Sequence, residues 1–261
     1  MQHSPHRGLA FNQFGPGTIT PVVKALLYAN IAVFLVTELA PRGIARQFIL
    51  FFGFTPAATL EGLRIWQPFT YMFLHGGVFH ILFNMLVLWM FGVQLERVWG
   101  SRFFLKYYTV AGVGAALITL AACWLPFTFA ETTYITPTIG ASGAVYGLLL
   151  AFAIYYPHTP ILVFLLFPVP AKYFVMILGA IAFISAPRGD GIGHVTHLGG
   201  LAAGYWYLRS WRGTARGRLG AGRLGVMADI KYRYVKWKMG RLRKKFAVYP
   251  GKKRNWDDTI H

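Results

Sequence analysis

Apolar residues fall in long runs nearly free of charge, separated by short stretches rich in Gly, Pro and polar residues. A helix needs about 20 consecutive apolar residues to cross the hydrocarbon core of a bilayer. Runs of roughly that kind cover Thr20–Ala40, Tyr71–Val93, Phe103–Leu125, Thr138–Tyr156, Ala171–Ala186 and His194–Ser210. The pattern predicts an all-α polytopic membrane protein. A six-helix membrane domain would occupy residues 20–210, between a short polar segment, 1–19, and a tail, 211–261. The fifth run is short, and "PILVFLLFPVP" before it is expected to be a re-entrant or membrane-surface piece. In the loop Pro41–Thr70, "FILFFGFTP" and "LRIWQPF" carry aromatics suited to the bilayer interface; a packed loop outside the membrane is the alternative. The other loops between spans are short, so successive spans should be neighbours. No internal repeat is visible.

Composition agrees with this reading. Hydrophobic residues make up 56% of the 261 residues and charged residues only 13%, against about 25% charged in soluble domains. The first twenty residues lack the apolar core of a cleavable signal peptide. Cys123 is the one cysteine, which excludes an intramolecular disulfide and leaves a packing role in the third span.

The net charge of +18 is unevenly placed, with sixteen of the 26 Lys and Arg residues lying from Arg209 onward. Six spans put both termini on one side. If that side is cytoplasmic, only Arg42, Arg46, Arg64 and Arg188 fall outside. The positive-inside rule therefore predicts cytoplasmic termini, and a bacterial inner membrane fits best. Charge so distributed calls for no nucleic acid partner. "DIKYRYVKWKMGRLRKKF" in the tail mixes basic and aromatic residues in a way that suits anionic lipid; a solvated topogenic tail is the main alternative, and RNA binding a lesser one.

Polar residues inside spans are expensive and mark functional candidates. In the predicted topology, spans two, four and six all run from outside to inside. Each has a polar residue in its first turns: His80 and Asn84, Ser142, and His197 with His194 one turn before it. His80 and Asn84 are four apart and share a helix face. Ser142 lies within "GASGAVYG", Gly140–Gly147. Gly143 and Gly147 form one small-residue ridge, and Gly200 and Gly204, on the face of His197, form another. Such ridges let membrane helices approach closely. Facing ridges would bring Ser142 within hydrogen-bond reach of His197, with Tyr146 stacked on the imidazole.

A serine hydroxyl needs an adjacent base to act as a nucleophile, and imidazole titrates near working pH. The oxyanion formed by attack needs fixed donors. Backbone N–H groups at the helix start near Ser142, with the side chains of Asn84 and His80, could supply them. No acidic residue lies between Glu131 and Asp190, and Asp190 reads as a turn residue, so the sequence predicts a Ser–His dyad rather than a triad. Glu96 and Arg97 are expected to cap or pair at the inner end of the second span. His75 and His194 read as structural or interfacial.

"HGGVFHILFN", "GASG" and "HLGGLAAG" together resemble motifs of the rhomboid family of intramembrane serine proteases. "WQPFTYMFLH" and the E-x-x-x-G from Glu96 to Gly100 are further similar stretches, and the resemblance covers about Pro21 to Ser210. It implies a six-helix bundle with a water-filled cavity open to the outside. It also implies Ser142 as nucleophile, His197 as general base, and an oxyanion hole of His80, Asn84 and the Ser142 N–H. The implied substrates are single-pass membrane proteins with a helix-destabilising stretch near the outer face, admitted laterally past the fifth helix. No cofactor is implied. Three other readings remain at the level of sequence. One is a non-catalytic rhomboid-like factor that binds transmembrane segments. Another is a metal site on His75, His80, His194 and His197, which lacks a carboxylate companion. The last is a transporter, which lacks a visible inverted repeat.

Overall fold

The computed structural model describes residues 17–126, 128–163, 166–186 and 192–220. The start of the polar N-terminal segment, Asp190, and the tail beyond Gly220 lie outside the described residues. The chain divides into two units, Met1–Ser210 and Trp211–His261; the architecture below belongs to the first, apart from the last residues of its final helix.

Helix α1 (Pro21–Leu39) opens on a proline, a residue that suits the first helical position because the N–H there has no intrahelical acceptor. Three short helices follow in the first loop: α2 (Arg42–Phe52), α3 (Pro56–Leu60) and α4 (Gln67–Thr70), the last running into a 3-10 turn at Tyr71–Phe73. Helix α5 (Val78–Val87) continues through a π turn, Leu88–Gly92, into α6 (Val93–Trp99) as one 22-residue apolar unit. A π turn takes up an extra residue and so resets the faces that the two halves present. Gly100, with φ of 77°, makes the reversal into α7 (Ser101–Ala122), a conformation that glycine adopts without strain. Helix α8 (Thr128–Ile135) precedes α9 (Ser142–Tyr155). An antiparallel ribbon, β1 (Pro160–Val163) and β2 (Phe167–Pro170), leads to α10 (Ala171–Ser185), and α11 (Ile192–Gly220) closes the order.

Helix α9 is the centre of the bundle, and nine of its fourteen residues are buried. It packs on α7 and α10. The α7 face turned inward is made of Ala111, Gly112, Ala115, Ala116 and Thr119, small residues that permit close backbone approach. Buried tyrosines tie the elements together: the Tyr71 hydroxyl donates to the Gly112 carbonyl at 2.8 Å and Tyr107 to the Gly147 carbonyl at 2.6 Å. The outward faces of α1, α5 and α10 remain apolar, with Leu35, Phe79, Phe83, Met176 and Phe183 all exposed. Exposed apolar area on this scale marks a surface that meets something other than water. The chain is a largely helical, polytopic membrane protein.

Among the described residues, α1, the α5–α6 unit and α7 are long and apolar enough to cross a membrane by length and composition. Helices α9 and α10 are apolar but shorter. The expected fourth span begins at Thr138, whereas α9 begins at Ser142. The reason is local: Thr138 exchanges backbone hydrogen bonds with Phe54, at 2.9 and 2.7 Å, and is held extended.

The first loop is folded rather than loose. Gln67, fully buried, accepts from the Thr55 N–H at 3.1 Å and the Thr59 hydroxyl at 3.2 Å, and donates to the Leu50 and Phe51 carbonyls. Its outer face still carries exposed Ile44, Leu50, Phe51, Ile65 and Phe69, so the loop is packed on one side and apolar on the other. Tyr134 of α8 donates to Glu61 at 2.6 Å, joining this loop to the segment before α9.

At the other end of the α5–α6 unit, buried Glu96 collects four donors. These are the Thr20 hydroxyl (2.5 Å), the Ser101 hydroxyl (2.6 Å), and the Val22 and Val23 N–H groups (3.0 and 2.9 Å). The carboxylate thus caps the start of α1, supplying the acceptors that Thr20 as N-cap does not, and negative charge suits a helix N-terminus. Beside it, the Arg97 guanidinium donates to the Thr18 carbonyl at 2.6 Å.

Candidate active site

Ser142 is the first residue of α9. The turn that delivers it depends on Gly140, whose φ of 122° is a conformation rarely open to other residues. The Gly140 N–H donates to the Tyr71 carbonyl at 2.9 Å, fixing the turn to the 3-10 segment. Ala141 provides no side-chain cap, and the first N–H groups of a helix have no intrahelical acceptor. The Ser142 N–H therefore belongs to the positive end of α9.

His197 comes from α11, which approaches α9 backbone to backbone. A Cβ on Gly200 would collide with the Gly143 carbonyl oxygen, and one on Gly204 would lie 3.2 Å from Gly147 Cα. The two glycine ridges face each other. On the α7 side, buried Thr119 and Thr196 share a hydroxyl hydrogen bond at 3.1 Å, one residue before His197. His197 Nε2 then lies 2.9 Å from Ser142 Oγ. Tyr146 is stacked flat on the imidazole, with centroids 4.1 Å apart and planes 6° from parallel. Among the described residues, His197 Nδ1 has no hydrogen-bond partner. For Nε2 to accept the serine hydroxyl, Nδ1 must carry the ring proton of the neutral imidazole.

His80 sits on the other side of the Gly140 turn. Its Nδ1 accepts from the Gly76 N–H at 3.3 Å, so in the neutral ring the proton is on Nε2. A Cβ on Gly140 would lie 2.6 Å from His80 Nε2 and 3.7 Å from Ser142 Oγ. The glycine is what leaves the histidine donor and the serine adjacent. Asn84, buried on the same helix face, donates through Nδ2 to the His80 carbonyl at 2.8 Å. An amide nitrogen carries two hydrogens, so this bond orients the group without exhausting it.

The remaining two candidate histidines are neighbours of the pair. His75 is buried and meets His80 edge-on at 5.1 Å, and His194 meets His197 edge-on at 5.9 Å. Among the described residues, no group of three or more His, Cys, Asp or Glu side chains is arranged to hold a metal. Gly76, Tyr71, Thr119 and Thr196 were not singled out by the sequence. Of these, the two threonines carried a usable signal, being hydroxyls inside apolar runs.

A serine and an imidazole paired among apolar helices define a membrane protein with a polar site built between helices. The model of the Rhomboid domain matches residues 62–211, more than half of the chain, and the chain belongs to the rhomboid family. It is similar to "Rhomboid protein 1, mitochondrial" of Saccharomyces cerevisiae, 34% identical over 142 residues, covering 52% of this chain and 40% of that protein. "Rhomboid protease GluP" of Bacillus subtilis is 31% identical over 137 residues, 52% of this chain and 24% of the relative. "Rhomboid protease AarA" of Providencia stuartii is 30% identical over 167 residues, 59% of this chain and 57% of the relative. The match thus spans between 24% and 57% of these relatives' lengths.

Proposed function

We propose that the protein is an intramembrane serine endopeptidase, with Ser142 as nucleophile and His197 as general base. The observation that carries this is the 2.9 Å contact between His197 Nε2 and Ser142 Oγ, on a chain of the rhomboid family. Ser142 Oγ attacks the carbonyl carbon of the scissile peptide while its proton passes to His197 Nε2. The negative charge on the carbonyl oxygen meets the Ser142 N–H, His80 Nε2–H and Asn84 Nδ2–H. The imidazolium returns the proton to the leaving amine, which departs and leaves an acyl ester on Ser142. Water, deprotonated by His197, then hydrolyses the ester. Tyr146 holds the imidazole plane in place of a triad carboxylate, and Gly140, Gly143, Gly200 and Gly204 permit the close approaches on which the site depends.

The wider reading is a six-span bundle with both termini cytoplasmic in a bacterial inner membrane, flanked by segments 1–19 and 211–261. It takes single-pass membrane proteins as substrates, admitted laterally past α10, and needs no cofactor. The basic tail would meet anionic lipid.

A fluorophosphonate probe tests the chemistry without a known substrate. Detergent-purified protein should label, and Ser142→Ala and His197→Ala should not. Labelling should survive chelators. A folded wild type that resists both this probe and a smaller mechanism-based inhibitor would instead support a non-catalytic factor that binds transmembrane segments.

A further inference from the structure

The ribbon between α9 and α10 has an unusual hydrogen-bonding edge. From Pro160 to Pro170 the sequence carries no polar side chain. The register pairs Pro160 with Pro170, Ile161 with Val169, Leu162 with Pro168, and Val163 with Phe167. The Ala171 N–H donates to the Thr159 carbonyl at 2.9 Å, continuing the ladder beyond the first rung. Bonded and non-bonded rungs alternate in an antiparallel pair. The bonded rungs are therefore Thr159/Ala171, Ile161/Val169 and Val163/Phe167. At the other two rungs, N–H and C=O groups point away from the ribbon. Pro160, Pro168 and Pro170 have no N–H to point. Leu162 is thus the one outward N–H of the two strands, and the free edge of β2 offers none.

That edge cannot accept a third strand, which needs alternating donors and acceptors. It also suits surroundings poor in water, where each unsatisfied donor costs several kcal/mol. The side chains agree. Ile161 is buried against the bundle, Leu162 on the opposite face is exposed, and at the turn end Leu166 and Phe167 are exposed by 71% and 63%. A two-stranded ribbon is marginal in water, and one with an apolar exposed face and no charge is more hazardous still. The ribbon packs on the start of α10, where Tyr173, Met176 and Ile177 are exposed as well. Lys172 stands 4.7 Å over the Tyr173 ring, and a Lys–Tyr pair of this kind is typical of the headgroup level. The ribbon follows the far end of α9, a fourteen-residue helix that begins at Ser142, so about 20 Å of helix rise separates that end from the serine.

We infer that this ribbon is seated in the acyl–headgroup boundary of the leaflet remote from Ser142, where lipid covers its apolar face and anchors that end of α10. The inference rests on the chain being a membrane protein and is independent of the catalytic reading. A second copy is the weaker occupant, because the prolines deny it a strand to pair with.

Site-directed spin labels test it in the full chain, reconstituted in phosphatidylcholine–phosphatidylglycerol vesicles. In a Cys123→Ser background, nitroxides are placed at Leu162→Cys or Leu166→Cys, with Gly193→Cys as a label at the Ser142 end. Both ribbon labels should collide more with oxygen than with a water-soluble nickel chelate, at depths of about 5–10 Å below the phosphates. Bimane on the same cysteines should be quenched more by lipids brominated near the headgroup than near the chain end. Greater collision with nickel would overturn the inference, placing the ribbon in water. Low collision with both reagents would overturn it in favour of a protein cover, and dipolar broadening would overturn it in favour of a second copy.

Discussion

Tyr146 lies flat on His197, centroids 4.1 Å apart, while Ser142 holds the same imidazole by its Nε2 at 2.9 Å. With no partner at Nδ1 among the described residues, the ring plane is set by the tyrosine face rather than by a carboxylate. Tyr146→Phe keeps the aromatic face and should label with a fluorophosphonate at nearly the wild-type rate. Tyr146→Ala removes it, and a small misplacement of the base can cost about 100-fold in rate. Labelling time courses beside thermal unfolding curves would separate this loss from a loss of fold. Equal rates for the two variants would remove Tyr146 from the mechanism.

Glu96 concerns stability. Its carboxylate holds Thr20, Val22, Val23 and Ser101 together at the start of α1. Glu96→Ala strands four donors and should destabilise the protein by about 3 kcal/mol or more. Glu96→Gln keeps one carbonyl acceptor but turns an NH2 group toward donors, and should fall between. Thermal denaturation in micelles gives the order. Glu96 lies at the opposite end of its span from Asn84, so fluorophosphonate labelling at low temperature should persist in both variants.

The candidate site residues are legible because a polar group in an apolar run has few reasons to exist. His80, Asn84, Ser142 and His197 stand out on that ground, and the spacing of the four glycines indicated which helix faces meet. What sequence does not reveal is anything made by tertiary contact between irregular segments. The Phe54–Thr138 exchange, which delays the start of α9, pairs residues 84 positions apart with no periodic signal. The Gly76 N–H that orients His80 is a backbone donor, and any residue but proline would carry one. The ribbon at Pro160–Pro170 was visible only as an apolar stretch too short and too proline-rich to be a span. Its register emerged from the fold.

Gly200 and Gly193 make a controlled pair. A Cβ on Gly200 would meet the Gly143 carbonyl oxygen, which is backbone and cannot step aside, whereas a Cβ on Gly193 meets nothing within 4 Å. Both glycines are in α11, so the helix-propensity gain of alanine is shared. Gly200→Ala should push α11 away from α9, costing roughly 1–3 kcal/mol and lengthening the Ser142–His197 contact. Labelling should fall strongly in Gly200→Ala and stay at the wild-type level in Gly193→Ala. Intact labelling in Gly200→Ala would mean that the close approach of the ridges is not needed for the pair.

Gly140 joins backbone conformation to the proposed oxyanion donor. Its φ of 122° resists any side chain, and a Cβ would stand 2.6 Å from His80 Nε2. Holding a residue with a side chain in such a conformation costs on the order of 1–3 kcal/mol. The alternative is a turn that relaxes and carries Ser142 with it. Either way His80 is displaced from its place beside the serine, and removal of one oxyanion donor costs about 100- to 1,000-fold in rate. Gly76→Ala is the matched control. It keeps the N–H that His80 Nδ1 accepts, and its Cβ would come no closer than 3.5 Å to Ile139 and 3.9 Å to His80. The expected order of labelling is wild type, then Gly76→Ala close behind, then Gly140→Ala lower by at least two orders of magnitude. His80→Ala should fall to the level of Gly140→Ala, and the double variant should lose little more, because both act on the same donor. If the two losses instead multiply, Gly140 serves the serine turn alone, and His80 contributes by a separate route.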